Sequence, residues 1–465
     1  MRRTLGLVGF LIAFAAPASA QIPQTFTLEQ ALQYAADHYP AIRAALEEVN
    51  ATSADVRVAR SAYLPRLDAV WQSNLATANN IFGQVLPQSV IPAMSGPVLP
   101  SASAGSVWGS ATGALFSWEP IDLGLRDAAI AGAEAAVTRA RAGEAFTRLG
   151  VQAAVGAACL IVVAAQRATI AAQADFDRRD VLARIVHTLV DNQLRPGADA
   201  SRADAERAAA RIRVIRAQET LSLAQATAAR VMGLATSPGT TVAPVTIDAA
   251  NLLAEAPVSD VGADAASVHP LAQLHQASVD VARAQEAVLA RTDRPRVYLQ
   301  SSVFARGSGA NPNGQLDGGF GGLGLDRTNW AAGVQIQFPN LFDFSSLHAR
   351  QAAAAASERA ETARYDEAIL TIGSQQQMAQ TMVQAARAVA ANTPIQLAAA
   401  QQSEAQARAR YQAGLTNIVD VADAQGLLAQ SEVQDQLARV DVWRALLAEA
   451  VARGNLAPFL NLVRP

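Results

Sequence analysis

The sequence has little cysteine and little net charge, and each shortage excludes a class of protein. Cys159 is the single cysteine among 465 residues, so no disulfide can form within the chain. It lies in the apolar stretch 157–165, where packing in a core is its expected role. Charged residues make up 17% of the chain and the formal net charge is −3. This balance argues against a nucleic-acid-binding protein, because such proteins need a basic surface.

A long apolar run is also missing once the N-terminus is set aside. Residues 1–20 have the pattern of a signal peptide: a basic start, an apolar run and the small-residue cleavage motif Ala18-Ser19-Ala20. The mature chain is expected to begin at Gln21, outside the cytoplasm, and without a cysteine there no lipid anchor is predicted. The longest later run, 157–165, is too short to span a bilayer as a helix. A membrane crossing would therefore need a β-barrel.

Motifs for catalysis, metal binding and nucleotide binding are lacking as well. The five histidines are scattered, and there is no HExxH motif, nucleophile elbow or phosphate-binding loop. The glycine-rich segment 307–324 does not lie between a strand and a helix, as a nucleotide site requires, and is interpreted as a flexible loop. We predict no catalytic residue, no metal site and no cofactor, and hence that the chain is not an enzyme.

What the sequence does contain is one pattern of elements that occurs twice. Each half has a helix, a strand, a loop, a strand, a very long helix, a turn and a further helix. The spacing from Pro40 to Pro65 recurs between Pro270 and Pro295. The expected divisions are residues 1–20 for the signal peptide, 21–260 for the first repeat and 261–465 for the second. The expected strands are about 66–77, 107–118, 297–305 and 329–338.

The strands alternate between apolar and polar residues. In the first strand Leu67 and Trp71 share one face, while Arg66 and Asp68 share the other. A membrane barrel has this pattern, with lipid outside and water inside, and so has a half-buried strand of a soluble sheet. Four tryptophans look like residues at a membrane interface. They are Trp71, Trp108, Trp118 and Trp330.

The lengths of the elements limit the architecture. Residues 122–191 and 345–410 would each form a helix on the order of 100 Å long, which no globular domain needs. Their alanine-rich faces favour close helix packing in a tube. Four strands cannot close a barrel, because about eight is the smallest number that does. If the chain crosses a membrane, several copies must share one barrel, and three copies would supply twelve strands.

The turn between the last two long helices is the most distinctive segment. Gly414 interrupts the helical pattern, and Asn417 is a suitable cap for the helix that follows. Asp420 and Asp423 are three residues apart, so their carboxylates share one helix face. On these residues alone, a capped hairpin with two solvated acids is the alternative to a functional site.

With this segment the chain resembles the TolC family of outer-membrane efflux proteins. The resemblance rests on Phe26-Thr-Leu-Glu-Gln-Ala-Leu, Tyr63-Leu-Pro65, the duplicated architecture, and Tyr411-Gln-Ala-Gly414 followed by Ile418-Val-Asp420-Val-Ala-Asp423-Ala-Gln. It implies a mixed α/β membrane protein: a homotrimeric twelve-stranded β-barrel, four strands per chain, continuous with a long α-helical coiled-coil tunnel. The implied location is the outer membrane of a Gram-negative-type bacterium, extending into the periplasm.

The resemblance also implies a periplasmic gate. The matching residues are Tyr411, Asp420 and Asp423. Thr416 stands where the best-studied form of the family has an arginine. Arg195, on the neighbouring hairpin, is a candidate latch partner in its place. Three copies would bring six carboxylates toward one axis, and such acidic rings select for cations.

The implied partners are a periplasmic adaptor protein and an inner-membrane transporter. The adaptor would contact the hairpin turns at Gly197, Gly414 and Leu415. The expected function is that of the outer-membrane channel in a tripartite efflux system, a passive conduit for small toxic compounds or drugs. Two alternatives stay open: the outer-membrane duct of a type I protein secretion system, and a periplasmic coiled-coil scaffold without a pore.

Overall fold

The structure is a computed structural model that describes residues 25–77, 89–91, 105–234, 244–249, 252, 266–311, 315–339 and 344–463. The predicted signal peptide and most of the loops expected at 81–105 and 235–262 lie outside these residues. The helices are α1 (Leu28–His38), α2 (Pro40–Ser61), α3 (Leu125–Asp191), α4 (Gly197–Met232), α5 (Pro270–Leu289), α6 (Phe344–Gln412), α7 (Ile418–Arg453) and α8 (Ala457–Val463). The strands are β1 (Thr25–Phe26), β2 (Arg66–Thr77), β3 (Ser106–Ile121), β4 (Thr246–Ile247), β5 (Arg296–Ser308) and β6 (Arg327–Gln337).

Four strands form one antiparallel sheet in the order β2-β3-β5-β6, so β2 and β6 are its two edges. Two strands are longer than expected. Strand β5 continues to Ser308 rather than ending near 305, and strand β3 continues beyond 118 and past Pro120 to Ile121. Its pairing with β5 shifts register between Trp118 and Ile121. A proline there cannot donate to the ladder, which accounts for the irregularity.

The pairing register gives the sheet one apolar and one polar face. The apolar face carries Leu67, Trp71, Leu75, Trp108, Phe116, Trp118, Val303, Trp330, Val334 and Ile336. The polar face carries Arg66, Asp68, Gln72, Gln300, Ser302, Arg306, Asn329 and Gln335. On the apolar face Trp71 is 73% exposed and Trp330 is 79% exposed. Water would be a poor environment for this face.

The long helices form two antiparallel hairpins, α3 with α4 and α6 with α7. Helices α3 and α6 have 67 and 69 residues, so each is roughly 100 Å long. Helix α2 packs on α3, and α5 packs on both α3 and α6, near the sheet. Helix α3 also packs on α7, which joins the two hairpins within one chain.

The apolar core is divided into two clusters along the hairpins. The larger one gathers α1, α3, α4, α7 and α8 around Trp443 and Phe459. It also includes Phe26 of β1 and Ile247 of β4, two short strands that pair in parallel and were not predicted. The smaller cluster lies at the hairpin ends and is called the tip cluster here. Its buried members are Leu182, Ala183, Val186, Ala200, Ala203, Tyr411, Ile418 and Val421.

Helix α3 is apolar enough over one 18-residue window to pass a test for membrane-crossing helices by length and composition. No such segment was predicted from the sequence, because the prediction required an unbroken run of apolar residues. In the structure 61% of the window is buried against the rest of the chain, as in the core helix of a soluble protein. Cys159 is fully buried in α3, which confirms its predicted role in packing.

The first predicted helix is two helices in the structure. Helix α1 ends at His38, Tyr39 has an extended backbone, and Pro40 is the first residue of α2. At the first position of a helix proline costs no hydrogen bond, because the backbone N–H that it lacks has no partner within the first turn. A capping box formed by Thr27 and Gln30 begins α1, with both hydrogen bonds formed.

A tight contact between α3 and α7 gives the first testable prediction. A Cβ added to Gly156 would lie 3.0 Å from Leu447 Cδ2, whereas one added to Gly150 would meet nothing within 4 Å. We expect Gly156→Val to destabilise the fold by about 1–3 kcal/mol through overpacking. Thermal unfolding followed by circular dichroism should show a clearly lower Tm for this variant. The matched Gly150→Val should leave Tm nearly unchanged, and equal Tm values for the two variants would contradict the packing described.

Candidate functional site

The turn between α6 and α7 is fixed by backbone hydrogen bonds at the end of α6. The Leu415 N–H donates to the Arg410 carbonyl at 2.9 Å, and the Gly414 N–H donates to the Tyr411 carbonyl at 3.0 Å. Gly414 has a φ of +75°, a left-handed conformation that glycine adopts without a steric cost. The helix break predicted at this glycine is therefore present. Leu415 is 71% exposed at the outermost point of the turn.

Helix α7 begins with the cap that the sequence predicts. The Asn417 side-chain oxygen accepts hydrogen bonds from the N–H groups of Val419 at 2.9 Å and Asp420 at 3.1 Å. Asp420 also accepts a hydrogen bond from the Thr416 hydroxyl. A carboxylate in the first turn of a helix is stabilised by the partial positive charge of the helix N-terminus.

The turn between α3 and α4 has the same geometry with different residues. The Leu194 N–H donates to the Leu189 carbonyl at 2.8 Å, and Gln193 takes the left-handed conformation with a φ of +60°. Gly197 was expected at the turn itself, but it is the first residue of α4, following the N-cap residue Pro196. Gln193, not glycine, supplies the positive φ, so the sequence pattern could not locate the turn residue.

Tyr411 joins the two hairpins. Its side chain is only 1% exposed and belongs to the tip cluster. Its hydroxyl donates to Asp199 Oδ2 on α4 at 3.2 Å. Arg195 Nη2 donates to the Tyr411 carbonyl at 2.6 Å, and the guanidinium carbon lies 4.4 Å from the centre of the tyrosine ring. Such a cation–π contact is worth about 0.5–2 kcal/mol in addition to the hydrogen bonds.

This environment keeps the tyrosine neutral. Burial raises the pKa of Tyr411 to about 12, and the negative charge of Asp199 and the hydrogen bond to it act in the same direction. The positive charge of Arg195 opposes them. At neutral pH the phenol is therefore a hydrogen-bond donor, and Asp199 supplies the acceptor.

The two predicted acids lie on the other side of α7. Asp420 and Asp423 are both exposed, whereas Val421, between them in sequence, is buried in the tip cluster. Among the described residues no ion pair joins Arg195 to either acid. The structure thus brings Arg195 to Tyr411 and leaves both acids facing solvent.

Asp199 was not predicted to be the hydrogen-bond partner of Tyr411. A signal for it was present, because Leu194 and Asp199 are spaced as Leu415 and Asp420 are, one pair in each turn. Aligning the two hairpin ends on these leucines would have placed Arg195 at the position of Thr416. The arginine missing from one turn is present in the other.

A charged section separates the tip cluster from the larger core. Arg178 on α3 forms two hydrogen bonds with Glu432 on α7, at 3.0 and 2.7 Å. Asp175, 2% exposed, accepts from Arg179 at 3.0 Å and from Arg213 at 2.8 Å. Forked arginine–carboxylate pairs fix geometry as well as charge. These charged residues were not among the predicted site residues.

Pro394 lies within α6, and the helix continues through it. Proline has no N–H to offer the Ala390 carbonyl. The hydroxyl of Thr393 lies 3.5 Å from that carbonyl oxygen and 3.2 Å from Asp435 Oδ1 on α7. Asp435 is 2% exposed, so this contact fixes α6 to α7 at the proline.

All four predicted interface tryptophans lie on the apolar face, but at different heights. Trp108 and Trp118 stand near opposite ends of β3. Trp71, which pairs with Thr112, and Trp330 lie nearer the middle of their strands. Among the described residues, no group of three or more His, Cys, Asp or Glu side chains is placed to hold a metal ion.

Part of the chain is similar to a known protein family, and its fold is similar to that of several solved structures. Residues 264–450 match the family described as "Outer membrane efflux protein". The structure of VceC from Vibrio cholerae is similar with a TM-score of 0.71 and 17% identity, over 92% of this chain and 96% of that chain. No curated protein sequence is similar enough to count as a match.

Two further channels have the same fold. CmeC from Campylobacter jejuni has a TM-score of 0.74 at 13% identity, over 98% of this chain and 94% of that chain. The open state of MtrE from Neisseria gonorrhoeae has a TM-score of 0.70 at 17% identity, over 92% of this chain and 89% of that chain. These levels of identity support the fold and not a shared cargo.

The fold is thus that of an outer-membrane efflux channel: a β-sheet domain on a long helical one. The family match in the second half of the chain confirms the resemblance that the sequence motifs predict. The matched family is described as one of outer membrane efflux proteins, which agrees with the prediction that the chain is not an enzyme.

The raised pKa of Tyr411 makes the tip contact sensitive to strongly alkaline pH. Because folding raises this pKa from about 10 to about 12, the folded state favours the neutral phenol. The stabilisation is complete below pH 10 and is lost as the pH rises through about 12. Ultraviolet titration of the protein minus that of Tyr411→Phe should show a tyrosine still protonated at about pH 11. A difference curve with a midpoint near 10 would contradict this, and Tyr365→Phe on the same helix is the control.

Proposed function

We propose that this protein is the outer-membrane channel of a tripartite efflux system, a passive conduit for small toxic compounds delivered by an inner-membrane pump. The observation that carries the proposal is the four-stranded sheet with an exposed apolar face. It stands at one end of helices roughly 100 Å long, a reach suited to crossing the periplasm. In a soluble scaffold the exposure of Trp71 and Trp330, 73% and 79%, would be unfavourable and would serve no function.

The proposed assembly is a homotrimer. The edge strands β2 and β6 each pair with one neighbour in the described residues, so each has one side to offer to another copy. Three four-stranded sheets joined edge to edge make a closed barrel of twelve strands, with the polar face inside and the apolar face toward lipid. Below the sheet, the hairpins of three copies would continue the barrel as a coiled-coil tunnel.

We infer that the chain arose by duplication, as the sequence repeat suggests. Both halves run helix, strand, strand, long helix, helix. The second helix of each hairpin has 36 residues, and the long helices differ by two residues. The matching positions in the two hairpin turns, Leu194 with Leu415 and Asp199 with Asp420, support the same origin.

The proposed gate lies at the hairpin ends, around Tyr411, Asp420 and Asp423. Tyr411 holds the α6–α7 hairpin against α3–α4 through Asp199, and Arg195 is the latch residue. With the α6–α7 hairpins closed toward the trimer axis, the exposed acids would form a ring at the narrowest point. Opening would require these contacts to break, which needs a partner that binds the open state more tightly.

The proposed partners are a periplasmic adaptor and an inner-membrane transporter. Both hairpin turns present an exposed leucine, Leu194 at 68% and Leu415 at 71%, on a backbone fixed by hydrogen bonds. Two such leucines per chain are suitable contacts for an adaptor. Gly414 would contribute by shaping its turn, and Gly197 by starting α4 next to the other turn. A duct for protein secretion would use the same channel, and the identity of the pump encoded nearby would distinguish the two functions.

The latch can be tested by its effect on channel opening. Tyr411→Phe keeps the ring but removes the donor to Asp199, and a hydrogen bond to a charged group contributes about 1.5–3 kcal/mol. We expect the open population in planar bilayers to rise by about 10- to 100-fold for one such contact. Asp199→Asn should act in the same direction, and Tyr365→Phe on α6 should have no effect. Conductance of Tyr411→Phe equal to that of the wild type would rule out this latch.

The acid ring can be tested by ion selectivity. Replacing Asp420 and Asp423 by alanine removes six carboxylates per trimer, so cation preference and block by divalent cations should both weaken. Trimer assembly should change little, because both side chains are exposed. The matched control is Asp441→Ala, an exposed acid higher on α7. Reversal potentials in a salt gradient that stay the same for the double variant would place these acids away from the constriction.

A further inference from the structure

Segment 315–326 lies between β5 and β6 and overlaps the glycine-rich stretch 307–324, which was expected to be a flexible loop, but it packs on the sheet. It contains a short 3-10 turn, Gly321–Leu323. The Ser110 hydroxyl donates to the Gly322 carbonyl at 3.0 Å, and this serine is only 3% exposed as a result. Ser110 lies two residues after Trp108 on β3 and therefore on the same, apolar face. The segment therefore folds back over the apolar face, at the end of the sheet away from the helices.

Glycines make this packing close. A Cβ on Gly322 would lie 1.6 Å from the Trp108 carbonyl oxygen, and a Cβ on Gly307 would lie 1.7 Å from the Gly324 carbonyl oxygen. Side chains at these two positions would collide with backbone atoms that cannot move aside. The glycines thus let the segment lie directly against the strands.

The packed segment presents a phenylalanine outward. Phe320 is 73% exposed, and its ring centre lies 6.1 Å from that of Trp108. Leu323 and Leu325 are next to it in the chain, at 37% and 41% exposed. An aromatic ring on a segment held this firmly cannot turn inward to escape water. Its exposure is therefore a property of the packed fold.

The height of Phe320 on the sheet can be estimated from the strand geometry. Trp108 and Trp118 lie on the same face of β3, ten residues apart, which is about 33 Å along a strand. At a strand tilt of 35–45° this corresponds to about 25 Å of height, the thickness of the apolar band of an outer-membrane barrel. Trp108 would then stand at one membrane interface, and Phe320 beside it.

We propose that segment 315–326 is a lipid-binding surface, in which Phe320 and its two leucines insert into the headgroup–acyl boundary of the outer leaflet. The proposal rests on the proposed function, because it requires the apolar face to meet lipid. The patch continues that face through the contact with Trp108. A second copy of the chain is not its occupant, since the patch lies on the inner strands β3 and β5, whereas copies would meet at β2 and β6.

The surface would fix the height of the channel in the membrane at the loop end. Moving a phenylalanine and two leucines from water into the boundary is favourable because it removes apolar surface from water. Trp108 would act with them as one interfacial belt, and Trp118 would lie at the opposite interface. The exposed Asp317 and Asp326, outside the apolar residues, would stay in water.

The test places a fluorescent label at Phe320. Phe320→Cys is labelled with bimane in the full-length trimer and reconstituted into phosphatidylcholine vesicles. Some vesicles contain lipids with a doxyl quencher near the headgroup end of the acyl chain, and others contain lipids with the quencher near the far end of the chain, which reaches labels deeper in the bilayer. Cys159 does not interfere, because burial raises the pKa of its thiol to about 12. Phe320 is exposed, so its replacement should not disturb folding. Gly318→Cys is the matched control, since a Cβ there would meet nothing within 4 Å.

We expect doxyl lipid to reduce the fluorescence at position 320 on the order of twofold, with little quenching by aqueous iodide, because boundary side chains lie ~5–10 Å deep. The label at 318 should show the reverse. Trp71→Cys reports separately on the apolar face. If doxyl lipid quenches the label at position 71 while the label at position 320 behaves like the one at 318, the lipid-binding surface is refuted and the channel proposal stands. If the label at position 71 is not quenched by doxyl lipid, the channel proposal fails and this inference fails with it.

Discussion

Backbone hydrogen bonding at the two edges of the sheet is the constraint on which the proposed structure depends. The described strands form a sheet that ends at β2 on one side and β6 on the other. In hydrocarbon each unpaired N–H or C=O group costs several kcal/mol, so a sheet facing lipid cannot keep open edges. Pairing β6 of one copy with β2 of the next removes every edge once the ring closes. The closed ring then fixes the positions of the helices below it, and with them the convergence of the hairpin ends.

The two-part core explains how the hairpin ends could move without loss of the fold. The larger cluster holds the region nearer the sheet, and the tip cluster holds the ends, with a charged section between them. Within the tip cluster the contact among Tyr411, Asp199 and Arg195 is polar and specific, and the apolar residues around it come from both hairpins. Opening would therefore break a few specific bonds and expose the small apolar cluster, while the larger core stays intact. The Thr416 hydroxyl donates a hydrogen bond to Asp420. Thr416 thus provides the partner for this acid that an arginine at the same position would have provided. In the proposed gate, the restraint and the charge thus belong to different residues.

The sequence predicted those features that depend on local chemistry. The alternation of β2 and β6, the break at Gly414 and the cap at Asn417 follow from side-chain period and backbone preference, which a single segment displays. Contacts between distant segments were not predictable in this way. Asp199 became the partner of Tyr411 only when the two hairpins packed, and the left-handed Gln193 has no residue-type signal. The packing of segment 315–326 depends on strands that approach its glycines from elsewhere in the chain. A glycine-rich sequence alone does not distinguish such close packing from flexibility.

The central claim, that copies of the chain share one barrel through β2 and β6, can be tested most directly by disulfide cross-linking. Gln72→Cys on β2 would be combined with a single cysteine at successive positions along β6. Both strands are long enough for one register to bring the pair within bonding distance. The account predicts that oxidation in isolated outer membranes gives dimers and trimers at particular β6 positions and nothing larger. Absence of intermolecular products at every position, or a ladder that continues beyond the trimer, would contradict it.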